Sequence, residues 1–324
     1  MLLLLAFIQM RYGLTIHLAY VLSILKIGLG NMFGYLISQK NRPKSKEHKQ
    51  AVKRRSYKRH IAYFLLMFWA IFLFPLSAMA NNTPPLRFEG TFGFFAKNLR
   101  TGQTISWNEN VIFPTASTSK LAVALATYKY MYPNADAVAQ ERYDEDIDLM
   151  MRLSDNDAFY ELLDEMDTRP CQPLVRVVDD LGLSQTKIHS LEAREQYHYS
   201  SVTTPYEMAA LFERIYWGTF LDREKSEALK TALANTIFHD EIPRLLPGTV
   251  MHKVGELDDI LCDVGVVDDG ENQILISIYT KTDQGADYAS DFIASLAARL
   301  YNDLRAEKPY YLLLELAEQQ PSKR

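Results

Sequence analysis

The chain has 324 residues, of which 48% are hydrophobic and 23% charged, with only two cysteines. This composition excludes a low-complexity chain and a small disulfide-stapled domain. Residues 1–80 hold 12 of the 35 basic residues and one of the 40 acidic residues, which leaves 23 basic and 39 acidic residues in 81–324. Because nucleic-acid binding needs clustered Lys and Arg, the acidic remainder argues against a nucleic-acid partner.

The N-terminal segment has the features of a secretory signal. Residues 61–77 carry no charge, a basic stretch at 40–60 precedes them, and Ala78-Met79-Ala80 follows. A basic region, an apolar region and an A-x-A end are typical of a signal peptide or, if uncleaved, a membrane anchor. We therefore expect residues 61–80 to direct the chain to the periplasm or the outer face of the cytoplasmic membrane. Membrane contact is expected only through this N-terminal segment.

Residues 1–60 allow two interpretations. Their apolar stretches, interrupted by charged and polar residues, are compatible with an additional membrane segment followed by a basic cytoplasmic loop. Alternatively, the coding sequence starts later and residues 1–60 are not translated. Both interpretations leave residues 81–324 as one domain.

The patterns in residues 81–324 predict an α+β domain. A strand at 86–97, a turn at 98–102 and a strand at 103–107 form a β-hairpin. Helices are predicted at 117–131, 147–153, 157–166, 173–181, 205–217, 222–235 and 285–307. A three-stranded meander is predicted at 250–254, 261–267 and 273–280. We expect an antiparallel sheet of N- and C-terminal strands, flanked by helices, with a helical insertion.

The first of three short motifs is Ser117-Thr118-Ser119-Lys120, which opens a predicted helix. A spacing of three residues puts the Ser hydroxyl and the Lys amine on one face of that helix. The amine can take the hydroxyl proton if burial or a neighbouring cation lowers its pKa. The motif alone is a weak signal, because Ser184 and Lys187 repeat the spacing in a predicted surface turn.

Two further motifs follow along the chain. Ser154-Asp155-Asn156 lies at a break between predicted helices, where an ordinary helix cap is the alternative interpretation. Lys253-Val254-Gly255 lies on the first strand of the meander. A glycine in a strand lets a ligand or another backbone approach closely, and a bulge beside an exposed lysine is the alternative.

Taken together, the motifs follow the order S-x-x-K, S-D-N and K-x-G, each on the expected element. Phe113-Pro114 precedes the first motif, and Thr203-Thr204-Pro205 precedes a later helix. Residues 84–305 therefore resemble the class A β-lactamase-like serine hydrolases, a superfamily that includes penicillin-binding transpeptidases. The resemblance implies that an amide, which could be a β-lactam, is attacked through an acyl-serine intermediate, with no cofactor and no metal.

The resemblance also implies three catalytic residues. Ser117 is expected to be the nucleophile, and Lys120 its base or proton relay. Ser154 is expected to pass a proton to the leaving nitrogen.

Four substrate-binding residues follow from the same resemblance. Asn156 is expected to bind the substrate amide or Lys120, and Lys253 to lower the pKa of Lys120 by like-charge repulsion. Gly255 precedes Glu256, whose backbone N–H is expected to form the oxyanion hole with that of Ser117.

Departures from the family pattern bear on the substrate. Val254 replaces the usual Thr and cannot donate the hydroxyl hydrogen bond that commonly holds a substrate carboxylate. Glu256 lies on the same side of the strand as Val254 by alternation, so it would repel that carboxylate.

The acid that activates water in this family has no clear counterpart. No E-x-x-L-N motif precedes Thr203, and the nearby Glu192 and Glu195 fit that motif poorly and are expected in a solvated loop. Without an acid that activates water, the acyl-enzyme should be long-lived. The segment between the first two motifs is short, so part of the cleft wall is expected to be absent.

Other classes fit the sequence less well. A Ser-His-Asp hydrolase lacks its G-x-S-x-G motif, and a zinc hydrolase lacks H-E-x-x-H. Four histidines lack motif context: His189, His198, His239 and His252. A penicillin-binding D-Ala-D-Ala peptidase and a catalytically weak cell-wall-binding module stay open as alternatives.

The expected partner is a small-molecule or peptidoglycan-derived amide, and the sequence leaves the natural substrate and the oligomeric state open. Cys171 and Cys262 could pair in an oxidising compartment, although two lone cysteines are more often unpaired.

Overall fold

The computed structural model of the chain describes residues 87–305. The predictions for residues 1–60 and 61–80 lie outside the described residues. Within residues 87–305, every helix is too short or too polar to cross a membrane.

Five antiparallel strands form the main sheet. The hairpin consists of β1 (Thr91–Asn98) and β2 (Thr104–Trp107). Two short strands, β3 (Phe113–Pro114) and β4 (Val202–Thr203), pair separately. The meander consists of β5 (Thr249–Leu257), β6 (Ile260–Asp268) and β7 (Gln273–Lys281). The sheet order is β2-β1-β7-β6-β5, so β1 and β7 join the two ends of the domain, which confirms the predicted sheet.

Eight α-helices surround this sheet in the described part of the chain. They are α1 (Lys120–Ala126), α2 (Ala137–Arg152), α3 (Asn156–Asp167), α4 (Pro173–Leu181), α5 (Leu191–Tyr197), α6 (Pro205–Trp217), α7 (Arg223–Ala234) and α8 (Ala286–Arg305). Side-chain oxygens of Asp136, Asp155 and Thr204 accept backbone N–H bonds at the starts of α2, α3 and α6. Such caps satisfy donors that the first helical turn leaves unpaired.

Side chains of β6 point alternately to the two faces of the sheet, so the core has two layers. Val264 and Val266 pack with α1 and α6, whereas Leu261 and Val267 pack with α8 on the opposite face. Side chains of neighbouring residues on a strand point to opposite faces. Every residue of α1 is buried, so this helix forms the centre of the helical layer.

The structure corrects two predicted segments. The helix expected at 147–153 begins ten residues earlier, at Ala137, because Asp136 caps a polar, mostly surface-lying first half. The loop expected around Glu192 and Glu195 is helix α5, in which only Ala193 is buried. The buried face of α2 starts only at Tyr143, and α5 has no apolar stripe, so hydrophobic periodicity reveals neither the first turns of α2 nor α5.

The cysteines do not pair in this structure. Cys171 is exposed and Cys262 is buried, and both are free thiols.

Candidate active site

A strained turn holds Ser117 at the start of the central helix. Ala116–Ser119 form a 3-10 turn that runs directly into α1, and Ala116 has a φ of 45°. The hydroxyl of Thr118 donates to the carbonyl oxygen of Thr115 at 2.6 Å and lies 2.8 Å from the hydroxyl of Tyr279 on β7. A left-handed non-glycine residue costs free energy and persists only where its surroundings hold it.

The amine of Lys120 lies at the centre of a hydrogen-bond network. Its Nζ is 3.0 Å from Ser117 Oγ, 2.7 Å from Asn156 Oδ1 and 2.9 Å from the carbonyl oxygen of Ser154. A longer contact of 3.3 Å joins it to Ser154 Oγ. The residue is only 1% exposed, and the ring of Phe159 lies 5.3 Å from the amine.

This environment suits a neutral amine. Burial lowers the pKa of Lys120 to about 8, with Asp155 acting in the opposite direction. A neutral amine has two N–H donors and one lone pair. The amide oxygen of Asn156 and the carbonyl oxygen of Ser154 can only accept, so they take the two donors. The lone pair is then left for the hydroxyl proton of Ser117.

Ser154 connects the two lysines. It has a φ of 57° between α2 and α3, and its Oγ accepts from Lys253 Nζ at 2.9 Å. Lys253 is 1% exposed, and burial together with the nearby charge of Lys120 lowers its pKa to about 7. The lowered pKa of Lys120 has the expected direction, and burial is the largest cause at both lysines. Like-charge repulsion between the two amines acts on both, and its share in the shift of Lys120 stays a prediction.

Gly255 packs directly against the turn that carries Ser117. A Cβ atom at Gly255 would lie 2.8 Å from the backbone nitrogen of Ser117 and 2.9 Å from both Thr115 O and Cys262 Sγ. The expected close backbone approach is therefore confirmed. The two N–H groups of the oxyanion hole stay a prediction.

Val254 and Glu256 face the α8 side of the sheet, as strand alternation predicts. Val254 is 7% exposed and packs in the α8 core, and both residues line a cleft with Glu241 and Asp287. Glu256 is exposed and also borders the cavity of Ser117. An acidic side chain therefore lies at the end of β5 that is nearest to Ser117.

A cavity of about 430 Å³ opens above Ser117. Its floor includes Ser117, Lys120 and Asn156, and Glu256 is the one carboxylate among the described residues that line it. The segment 189–201 contributes six polar residues to the cavity lining: His189, Arg194, His198, Tyr199, Ser200 and Ser201. Sequence reasoning missed Arg194, because no motif marks it. Among residues 87–305, no group of His, Cys, Asp or Glu could hold a metal ion.

The two acids of α5 do not reach this cavity. Glu192 pairs with Lys187 at 2.8 Å on the surface, and Glu195 is exposed. Neither residue lines the cavity, although their neighbour Arg194 does. The Ser184–Lys187 repeat forms no second site, because its lysine is part of this surface ion pair.

A buried ionic cluster supports β5 behind Lys253. His252 is fully buried, and its Nδ1 lies 2.9 Å from Asp263, which also accepts from the backbone of Ile242. Burial lowers the pKa of His252, but the Asp263 carboxylate outweighs this and raises it overall. Burial, and then the charge of Asp263, raises the pKa of the adjacent Glu241 to about 7.

Replacement of Glu241 by Gln should therefore stabilise the protein at high pH. A carboxyl whose pKa is raised in the folded state contributes stability below its ordinary pKa of 4.5, and this contribution is lost as pH rises to about 7. We expect the variant to match the wild type at pH 4.5 and to gain about 1–3 kcal/mol in free energy of unfolding at pH 8. Urea denaturation at both pH values, with the exposed Glu271→Gln as control, measures this. Equal stability at pH 8 would contradict the prediction.

Comparison with known proteins agrees with this fold. The sequence profile of the beta-lactamase enzyme family matches residues 80–143 and 142–304, which is more than half of the chain. No curated protein sequence matches significantly.

Solved structures share the fold at low sequence identity. A beta-lactamase from Sphaerobacter thermophilus is 18% identical, with a TM-score of 0.56 over 64% of this chain and 90% of its own. A halotolerant bacterial beta-lactamase is 22% identical, with a TM-score of 0.57 over 68% and 96%. PBP-A is 21% identical, with a TM-score of 0.57 over 71% and 94%. The chain thus belongs to the beta-lactamase enzyme family and is a serine hydrolase of the β-lactamase type.

Proposed function

We propose that the protein is an exported serine acyl-hydrolase that attacks an amide through Ser117. The observation that carries this proposal is the 3.0 Å contact between Ser117 Oγ and the buried amine of Lys120. The substrate class is a small-molecule β-lactam or a peptidoglycan-derived amide. Export rests on the signal-like residues 61–80 of the sequence.

In the acylation step, neutral Lys120 takes the hydroxyl proton of Ser117 as its oxygen attacks the substrate carbonyl carbon. Backbone N–H groups of Ser117 and Glu256 stabilise the negative charge that develops on the carbonyl oxygen. The C–N bond then breaks, and the leaving nitrogen takes a proton from the hydroxyl of Ser154. Ser154 regains a proton from Lys120 or Lys253, which lie 3.3 and 2.9 Å from its oxygen.

Deacylation is expected to be slow. The acids of α5 lie outside the cavity, so no carboxylate from this helix can activate water beside Ser117. A mutant of PBP-A, one of the structural relatives, has been solved as an acyl-enzyme complex with penicillin G. A penicillin-binding enzyme with a stable adduct is therefore favoured over a fast β-lactamase.

Residues 81–324 incubated with excess fluorescent penicillin should take up one label per chain. The label should persist through gel filtration, whereas the Ser117→Ala variant should take up at least about 100-fold less, because removal of a nucleophile typically costs several orders of magnitude. Mass spectrometry locates the adduct, and a chromogenic cephalosporin measures turnover. Rapid turnover would contradict slow deacylation. Equal labelling of both proteins would contradict Ser117 as the nucleophile.

A further inference from the structure

The wall of the Ser117 cavity formed by residues 189–201 has one formal charge directed into the cavity, the guanidinium of Arg194. The wall also presents the side chains of His189 and His198 and the hydroxyls of Ser200 and Ser201. These side chains can donate hydrogen bonds, and none of them is a carboxylate. The two acids of the same wall, as described above, lie elsewhere.

The wall is held in place by its own backbone. Ser190 N donates to Ser200 O at 2.8 Å, and His189 N donates to Ser201 Oγ at 3.0 Å, so the two ends of the α5 segment are tied together. His189 and His198, which flank α5, have φ values of 50° and 65°. Left-handed backbone at two non-glycine residues indicates a conformation that the surroundings impose. Arg194 is therefore carried by a pre-organised support.

The charges of Arg194 and Glu256 are not compensated within the described part of the chain. Neither side chain forms an ion pair or side-chain hydrogen bond with another residue in 87–305, and they do not pair with each other. Both side chains are exposed to solvent and both line the cavity that contains Ser117. A bound substrate therefore meets one positive and one negative charge that are free to interact with it.

We infer that Arg194 is a specificity-determining residue that binds a carboxylate on the acyl part of the substrate. The inference rests on the proposed function, because the acyl group must be attached to Ser117. Guanidinium binds carboxylate through two parallel N–H bonds, which gives orientation as well as affinity. Glu256 disfavours an anion at the end of β5, so the α5 wall is where the cavity accepts negative charge.

Matched chromogenic esters test this assignment without a β-lactam. The probes are the 4-nitrophenyl esters of 4-carboxyphenylacetic acid and of 4-carbamoylphenylacetic acid, which differ in charge but hardly in shape. The measured quantity is the ratio of their kcat/KM values, because this ratio removes effects common to both esters. We expect the carboxylate ester to be favoured about 5–10-fold, the range of one charge-assisted contact at a partly exposed site.

In Arg194→Gln the ratio should fall to about 1, and in Arg194→Lys part of the preference should return, since a point charge remains. Arg223→Gln, at an exposed arginine at the start of α7 that does not line the cavity, serves as the matched control and should keep the wild-type ratio. Thermal unfolding of all three variants checks the fold.

A wild-type ratio near 1, or a preference that survives Arg194→Gln, would overturn the inference and leave Ser117 as the nucleophile. Absence of any Ser117-dependent release of 4-nitrophenolate from both esters, together with no Ser117-dependent penicillin label, would instead remove the proposed function, and this inference with it. The two failures are therefore distinguishable.

Discussion

Replacement of Lys120 by Met should lower the acylation rate constant by at least about 10³-fold, the upper part of the range for loss of a general base. Lys120 Nζ lies 3.0 Å from the Ser117 hydroxyl, and its three other hydrogen-bond contacts hold it there. Methionine fills a similar volume and removes a buried amine, so the variant should fold. Stopped-flow labelling with fluorescent penicillin measures the rate constant.

The matched control is Lys187→Met, which changes the lysine of the second S-x-x-K sequence. Lys187 pairs with Glu192 on the surface, so its loss should change the acylation rate less than about threefold, as for a surface ion pair. If both variants acylate at the wild-type rate, Lys120 is not the base.

The pH dependence of acylation is an independent test of Lys120 as the base. Only the neutral amine can accept the Ser117 proton, and burial lowers the pKa of Lys120 to about 8. The acylation rate should therefore rise with pH, reach half of its plateau near pH 8, and lose this dependence in Lys120→Met. A rate that keeps rising to pH 10 would show an unperturbed lysine, whose ordinary pKa is 10.5.

The site residues that sequence predicts are those that belong to the three short motifs. Ser117 and Lys120 are one helical turn apart, so their contact follows from helix geometry alone. The contacts of Ser154 and Lys253 join residues 99 positions apart in the chain, and only their order and type suggest them. The family resemblance predicts that Ser154 and Lys253 lie close together, because in the implied fold α1, β5 and the loop between α2 and α3 meet.

The part of the site that sequence did not predict depends on burial and on α5, a helix without an apolar stripe. Sequence gives no measure of how far Lys120 is removed from water, so it does not show that burial is the largest cause of its lowered pKa. Helix α5 buries only Ala193, and its surface position hides which of its charged residues turns towards the cavity. Arg194 is therefore visible only in three dimensions, between two acids that point elsewhere.

Gly255→Ala should lower acylation by about 10²–10³-fold, comparable to the loss of one oxyanion donor. The added Cβ would lie 2.8 Å from Ser117 N and 2.9 Å from Thr115 O, distances at which the backbone must move. If β5 or the turn that carries Ser117 moves, the N–H groups of Ser117 and Glu256 move apart. Overpacking of this kind also costs about 1–3 kcal/mol of stability.

Gly102→Ala is the matched control, because a Cβ there meets no atom within 4 Å and only the φ of 76° is strained. It should lose about 1–2 kcal/mol of stability, the cost of a left-handed residue, and acylate at the wild-type rate.

A double variant, Gly255→Ala with Cys262→Ala, separates the effect on core packing from the effect on acylation. It removes the clash with Sγ, so part of the stability should return. The backbone atoms of Ser117 and Thr115 stay in place, so the acylation rate should not recover. Recovery of the rate in this double variant would show that Gly255 serves core packing and not the geometry around Ser117.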